Sequence, residues 1–127
     1  MTEAKLNNKF TLNDKYHLLE GRIILSGIQA LVRLLLDQNR ADLIKGLNTG
    51  TLVSGYRGSP VGVLDINLMR NKKLIDQHNI KFIPGVNEDL GATLIYGSQM
   101  AGMVSNVKYD GVMGMWYGKA PGVDRSG

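Results

Sequence analysis

The stretch TLVSGYRGSP, residues 51–60, decides the fold class. Its first four residues are apolar or β-prone, and Gly55, Gly58 and Pro60 follow them at once. A short apolar run closed by glycine and proline is typical of a buried strand that ends in a turn. Apolar residues then recur at helical spacing over residues 63–78, with a charged outer face. The sequence therefore predicts a strand that leads directly into a helix.

The flanking segments continue this alternation. Upstream, Ser26 and Gln29 match a capping box at the start of an amphipathic helix, which we expect to end near Asn39. Downstream, short strands over residues 81–83 and 111–116 lie on either side of a helix predicted for residues 88–104. The packing face of that helix carries small residues, among them Gly91, Ala92, Gly97, Ser98, Ala101 and Gly102.

Alternating strands and helices predict an α/β fold, a partial three-layer parallel sheet with helical crossovers. Residues 118–127 are interpreted as a glycine-rich loop after the last strand. A doubly wound domain would continue there with a covering helix, and three strands make a small sheet. We therefore expect a truncated domain over residues 16–127, preceded by a flexible leader over residues 1–15.

Composition narrows the classes of function. The formal net charge is +4, but Lys72 and Lys73 are the only adjacent basic residues and aromatic residues make up 6% of the chain. A nucleic-acid surface normally shows clustered Lys and Arg, so we expect no nucleic-acid partner. Charged residues such as Arg33 and Asp37 interrupt the longest apolar stretch, so no membrane span is predicted.

The chain contains no cysteine. Disulfides, cysteine-based zinc sites and cysteine-ligated iron–sulfur clusters are therefore excluded within it. The polar N-terminus has no apolar segment of the secretory kind, and we expect a cytoplasmic protein. His17 and His78 are isolated and lack ligand partners at metal-binding spacing, so no metal site is predicted.

Three loops follow predicted strands, over residues 55–60, 84–89 and 118–127. In open α/β sheets, ligands bind outside the carboxyl ends of the strands, so these loops can converge on one site. The first loop lacks the Gly-Lys-Ser/Thr of a phosphate-binding loop. Composition favours a strand-to-helix turn with Ser59 as the helix cap. The alternative is that Ser59 hydrogen-bonds a ligand and Arg57 holds an anion.

The other two loops carry charged residues. Glu88 and Asp89 fall at a helix start, where acids complement the helix dipole, and this is the commoner reason for their presence. The functional alternative is a carboxylate directed at a cofactor. Lys119, Asp124 and Arg125 lie in the last loop, which either binds an anion or is a solvated connection.

Several sequence blocks, taken in order, resemble one family, the long-chain indolepyruvate:ferredoxin oxidoreductases, which are relatives of pyruvate:ferredoxin oxidoreductase. The resemblance runs from about Tyr16 to the last residue. The blocks are GYRGSP at 55–60, PGVNEDL at 84–90, YGSQ at 96–99, YDGV at 109–112 and WYGKAPGVDRSG at 116–127.

The resemblance implies an enzyme that oxidatively decarboxylates a 2-oxoacid, transfers the acyl group to coenzyme A and passes electrons to ferredoxin. It implies thiamine diphosphate, magnesium and 4Fe–4S clusters as cofactors. Residues 16–127 would form the N-terminal part of the domain that binds the pyrimidine ring of thiamine diphosphate. Magnesium and the clusters would be bound by parts absent from this chain, and the isolated chain would be inactive. The implied partners are the remaining domains, ferredoxin and a second copy in a homo-oligomer.

The resemblance also assigns residues. Glu88 falls on the glutamate that contacts N1′ of the aminopyrimidine ring and supports proton transfer from the thiazolium carbon. Gly58 and Ser59 fall near the cofactor, and Ser59 matches a hydroxyl residue near the substrate. Arg57 and Arg125 are candidates for the substrate carboxylate on charge and loop position. Ala120 departs from the family pattern, where glycine is expected.

Two other readings remain open from the sequence. The chain could be a non-catalytic α/β module that binds an anion or a nucleotide through its glycine-rich loops. It could also be an inactive remnant of a broken reading frame.

Overall fold

The computed structural model describes residues 9–58 and 61–125, and within them the chain has an α/β fold. The elements, in chain order, are α1 (Asp14–His17), α2 (Gly27–Ile44), β1 (Thr49–Gly55), α3 (Leu64–Arg70), α4 (Lys72–Gln77), β2 (Ile80–Phe82), α5 (Glu88–Gln99), a 3₁₀ turn (Ala101–Met103), β3 (Gly111–Tyr117) and α6 (Ala120–Asp124).

The three strands form one parallel sheet in the order β2-β1-β3. Thr51 of β1 lies opposite Ile80 of β2 on one side and opposite Met113 of β3 on the other. Since β2 and β3 flank β1, the connection from β2 through α5 to β3 crosses over β1. The predicted parallel sheet with helical crossovers is confirmed.

One face of the sheet packs against α2, α3 and α4. Val53 in β1 and Tyr117 in β3 point to this side, where the main hydrophobic core lies. The apolar stripe of α2 supplies much of it, because residues four apart in a helix share a face. The other core residues are Tyr16, Val32, Leu35, Leu36, Leu64, Leu68, Ile75 and Ile80.

The opposite face of the sheet packs against α5. A Cβ built on Gly91 would lie 3.4 Å from Ser54 Oγ of β1 and 3.4 Å from Trp116 Nε1 of β3. A Cβ on Gly114 of β3 would contact Ile95 of α5. Successive strand residues point to opposite faces, so these contacts place α5 across the sheet from the main core. Helices therefore lie on both faces of the sheet, and the fold has three layers, helix, sheet and helix.

Helix α2 begins as the capping box predicts. Ser26 Oγ accepts from the Gln29 N–H (3.2 Å), and Gln29 Oε1 accepts from the Ser26 N–H (3.0 Å). The predicted end near Asn39 is wrong, because the helix continues to Ile44. Asn39 is buried within the helix. The helix is terminated by Gly46, whose φ of 77° is typical of glycine just after a helix end.

Two other predicted helices are shorter than expected. The helix predicted over 63–78 is interrupted at Asn71, so that α3 and α4 are separate. The helix predicted to reach Val104 ends at Gln99 and passes into the 3₁₀ turn. Asparagine and glycine are weak helix formers, and both breaks fall where such residues occur.

The predicted leader, residues 1–15, lies partly outside the described residues. Its described part contains a turn and the start of α1 at Asp14. The Arg33 guanidinium donates to the carbonyl oxygens of Lys15 (3.0 Å) and Leu18 (2.5 Å). Asp37 accepts from both Arg33 (2.8 Å) and Arg40 (2.9 Å).

Within the described ranges, no helix combines the length and apolar character that crossing a membrane requires.

Candidate functional site

The loops that follow the three strands meet at the carboxyl end of the sheet. The Gly85 N–H donates to the Gly55 carbonyl (2.9 Å), which ties the loop after β2 to the end of β1. The Tyr56 N–H donates to the Tyr117 carbonyl (3.3 Å), which ties the loop after β1 to the end of β3. The order β2-β1-β3 reverses direction at β1, so the β1/β3 boundary is the topological switch point where α/β folds bind ligands.

Glu88 stands at this edge as the first residue of α5. Asn87 caps the helix by accepting a hydrogen bond from the Leu90 N–H (2.8 Å). The indole Nε1–H of Trp116 donates to the Glu88 carbonyl oxygen (3.2 Å). The backbone of Glu88 is therefore held by its own helix start and by the end of β3.

The side chain of Glu88 packs against α6. A Cβ on Gly122 would lie 2.6 Å from Glu88 Cγ and 2.7 Å from Glu88 Oε1. These distances are below ordinary van der Waals separation, so only a glycine fits at this position without moving the carboxylate. The segment after β3 thus shapes the space around Glu88.

Glu88 is a half-buried residue, and no described side chain or backbone group hydrogen-bonds its carboxylate. Such a carboxylate can hold a proton or accept a hydrogen bond from a ligand nitrogen. Asp89 lies in the first turn of α5, as expected of a helix-start acid, and its backbone carbonyl accepts from Thr93 Oγ1 (2.8 Å).

The other candidate residues are less closely grouped. Arg57 and Gly58 lie in an exposed turn after β1, and Arg125 is exposed at the end of α6. Among the described residues, no hydrogen bond or ion pair joins Arg57 or Arg125 to Glu88. Ser59 lies outside the described residues, so the prediction that it caps a helix also falls outside them.

The glycine-rich segment after β3 is not the open loop that the sequence predicted. It contains α6 over Ala120–Asp124, with Pro121 in the first turn of the helix. Proline is favoured there because its fixed φ suits a helix and its missing N–H has no intrahelical partner. The Ala-Pro pair was the signal for this helix.

Sequence reasoning missed two residues of the site. Trp116 was interpreted as the end of a strand, yet its indole reaches across to Glu88. Gly122 was taken as one loop glycine among several, yet it lies against the Glu88 side chain. Neither contact has a local sequence signal, because each joins segments that are far apart in the chain.

Tyr117 lies buried at the same end of β3, on the core side of the sheet. Burial, followed by the negative charge of Asp65, raises the pKa of its phenol to about 12. Its hydroxyl has no described hydrogen-bond partner. Tyr117 is therefore neutral at physiological pH, and its side chain is part of the hydrophobic core at the carboxyl end of the sheet.

Within residues 9–58 and 61–125, no group of three or more His, Cys, Asp or Glu side chains is placed to hold a metal ion. A cavity of about 210 Å³ lies away from Glu88, between α3, α4 and β2, and is lined by Leu68, Met69, Lys72, Ile75, Asp76, Lys81, Phe82 and Pro84.

Comparison of the chain with protein-family models, with curated protein sequences and with solved structures finds no match in any of the three, so no family membership follows from them.

Proposed function

We propose that this chain forms the pyrimidine-side half of a thiamine-diphosphate site in a 2-oxoacid:ferredoxin oxidoreductase of the indolepyruvate type. The observation that carries the proposal is the position of Glu88. Glu88 is half-buried, its carboxylate has no described partner, and it lies at the topological switch point of a parallel sheet. The sequence blocks that resemble the family contain Glu88, Trp116 and Gly122, and these three residues are in contact in space.

The residues fit one half of the cofactor. A carboxylate beside a glycine can approach a flat heteroaromatic ring closely and form a short hydrogen bond to a ring nitrogen. The described residues offer no acidic cluster for the magnesium ion through which the diphosphate would be held. In the proposal, that second half comes from another part of the parent enzyme, which also carries the iron–sulfur clusters and meets ferredoxin and coenzyme A.

The chain's own contribution is to hold a proton in place. Trp116 and the Asn87 cap fix the backbone of Glu88, and Gly122 leaves room for its carboxylate. With the pyrimidine ring bound, an Oε atom of Glu88 would exchange a hydrogen bond or a proton with the ring nitrogen. When bound, the cofactor supplies a nucleophilic carbon and an electron sink for decarboxylation. Arg57 and Arg125, both exposed at this edge, are the candidates for the substrate carboxylate.

The coding sequence downstream of Gly127 gives the first test. We expect the reading frame to continue into a Gly-Asp-Gly type motif and cysteine-rich segments. A stop codon directly after Gly127 would contradict the proposal and favour an inactive remnant.

Titration calorimetry of the 127-residue chain with thiamine diphosphate and magnesium gives the second test. We expect no tight binding, because the chain supplies half of the site. A Kd of about 1 μM, equivalent to about −8 kcal/mol, would show that the chain holds the whole cofactor and would contradict the half-site assignment.

Glu88→Gln in the full-length enzyme gives the third test. General acid–base groups contribute roughly 100- to 10,000-fold to rate, so we expect a loss of that size in cofactor activation, measured as proton exchange at the thiazolium carbon. Asp89→Asn is the matched control, because it removes the neighbouring carboxylate of the same helix turn and should leave exchange within a few-fold. An unchanged exchange rate in Glu88→Gln, with anion binding retained, would instead support the non-catalytic module.

A further inference from the structure

Helices α1, α3 and α4 form the walls of an open cleft on the side of the sheet where the main core lies. Its volume is about 350 Å³, and it runs between α1, with its cap residue Asn13, and the junction of α3 and α4 at Asn71. Binding sites for small molecules begin at about 300 Å³. The cleft is therefore large enough for a small ligand.

The charged side chains that line the cleft are basic. His17 comes from α1, Arg70 from the end of α3 and Lys73 from α4. Among the described residues, no Asp or Glu lines it. Asp14, one turn before His17, directs both carboxylate oxygens to Thr11, whose N–H and hydroxyl donate to them (2.9 and 2.8 Å). A cleft lined by one sign of charge concentrates ions of the opposite sign.

The two neighbouring lysines of α4 differ in what they contact. Lys72 lies outside the cleft and pairs with Asp76. Lys73 lines the cleft and has neither an ion pair nor a hydrogen bond with any residue that the structure describes, and the same holds for Arg70. Like charges in one cleft repel each other, and a bound anion offsets that repulsion.

Two amide side chains add neutral donors. Asn13 and Gln77 line the cleft, and neither side chain hydrogen-bonds another residue in the described part of the chain. A carboxamide offers two N–H donors to an anion. Leu74, which is half-buried, also lines the cleft and gives it an apolar surface. The cleft thus combines charged donors, neutral donors and an apolar contact.

We propose that this cleft binds a small soluble phosphate ester, with the phosphate group at Arg70 and Lys73. A guanidinium donates two parallel N–H bonds to phosphate oxygens, and an ammonium is a compact point charge for the same group. A phosphate ester carries roughly −1.5 to −2 charges at neutral pH, so it gains more than a carboxylate from several cations in one place. The organic part of the ligand lies against Leu74.

The cleft is separate from the Glu88 site. None of the described residues that line it belongs to the three loops after the strands. Glu88→Gln should therefore leave phosphate binding unchanged, and anion binding at the glycine-rich loops would persist in Lys73→Ala. Each proposal can fail while the other stands.

Titration calorimetry of the 127-residue chain tests the binding. Inorganic phosphate and glycerol phosphate are the probes, at low ionic strength because salt screens exposed charges. We expect saturable binding of both, with a Kd of about 1 mM or below. Glycerol, and sodium chloride at matched ionic strength, should give no saturable heat, because neither brings a phosphate group.

Lys73→Ala and Lys72→Ala form a matched pair. Each removes one exposed positive charge at adjacent positions of α4, so the two variants have the same net charge. We expect Lys73→Ala to raise the Kd for glycerol phosphate about tenfold, the usual effect of losing a hydrogen bond to a charged group. Arg70→Ala should act likewise, and Lys72→Ala should change the Kd less than about twofold. Circular dichroism reports the fold of each variant, and Lys73→Gln repeats the test should the alanine variant not fold.

The absence of saturable binding, or equal weakening in Lys72→Ala and Lys73→Ala, would overturn the proposal. Equal weakening would mean that the anion responds only to the net charge of the surface. Vesicles of phosphatidylcholine with and without phosphatidic acid give a further arm, because that lipid carries the same phosphate ester. Sedimentation with the phosphatidic acid vesicles, without a response to glycerol phosphate, would refute a soluble ligand.

Discussion

Replacing Gly122 with alanine perturbs Glu88 without touching it directly. The new Cβ would lie 2.6 Å from Glu88 Cγ and 2.7 Å from Oε1, whereas nonbonded carbon atoms are about 3.5–4 Å apart. The carboxylate must therefore withdraw by roughly 1 Å. A displacement of that size at a reacting group can lower a rate about 100-fold. For the proposed oxidoreductase, we expect Gly122→Ala to reduce kcat of the full-length protein by about that factor, measured as ferredoxin reduction.

The same substitution should leave the fold intact. The atoms that must move belong to the end of a flexible side chain, and alanine in α6 favours the helix by up to about 1 kcal/mol over glycine. Urea unfolding of the 127-residue chain should therefore show little change in the free energy of unfolding. A loss of stability of several kcal/mol would show that Gly122 has a packing role instead.

Gly97→Ala is the control for this experiment. It makes the same change within α5, where a Cβ on Gly97 would have no neighbour within 4 Å. Activity should stay at the level of the unmodified enzyme, and stability should rise by up to about 1 kcal/mol. Full activity in Gly122→Ala, or an equal loss in both variants, would refute the argument that the position of Glu88 controls the reaction.

Further expectations concern stability. Burial opposes ionisation of Asp37, but hydrogen bonds from Arg33 and Arg40 outweigh it and lower the pKa of the carboxyl. The stabilisation is therefore complete above about pH 4 and is lost as the pH falls through the lowered pKa, so urea unfolding of Asp37→Asn should show a weaker acid dependence. Tyr117, with a pKa raised to about 12, stabilises the fold below pH 10. Between about pH 10 and 12 some 3 kcal/mol should be lost, and Tyr117→Phe should remove this dependence. Asn87→Ala removes the cap of α5 and should cost about 1 kcal/mol in thermal unfolding, while Asn87→Ser should retain most of it.

The elements with local chemical signals could be predicted from the sequence. Ser26 and Gln29 identified the start of α2, and the run before Gly55 identified β1, because capping and turn residues act through neighbours in the chain. The end of α2 was missed because Asn39 looks like a polar stop, whereas it is buried and the helix continues past it to Ile44. Burial of a polar residue depends on tertiary packing and leaves no local pattern.

In the candidate site too, features with a local sequence signal could be predicted, and contacts between distant segments could not. Glu88 could be placed at a helix start and a sheet edge from the alternation of elements alone. Its neighbours Trp116 and Gly122 are 28 or more residues away in the chain, and their contacts depend on the crossover over β1. The small residues of α5 were expected to lie on its packing face, but a Cβ on Gly91 would meet the sheet at 3.4 Å and one on Gly97 would have no neighbour within 4 Å. Helical periodicity alone does not reveal which side of α5 faces the sheet.

The position of β1 between its two partners has a consequence for how the protein folds. Thr51 pairs with Ile80 and with Met113, so both ladders close long stretches of chain. Non-local parallel pairing carries a large loop-closure entropy and slows folding. The surroundings of Glu88 need the later of the two ladders, since Trp116 belongs to β3. On the ribosome this corner of the molecule therefore cannot assemble before β3 has been synthesised, and a pause in synthesis before β3 would leave α5 exposed over an unfinished sheet.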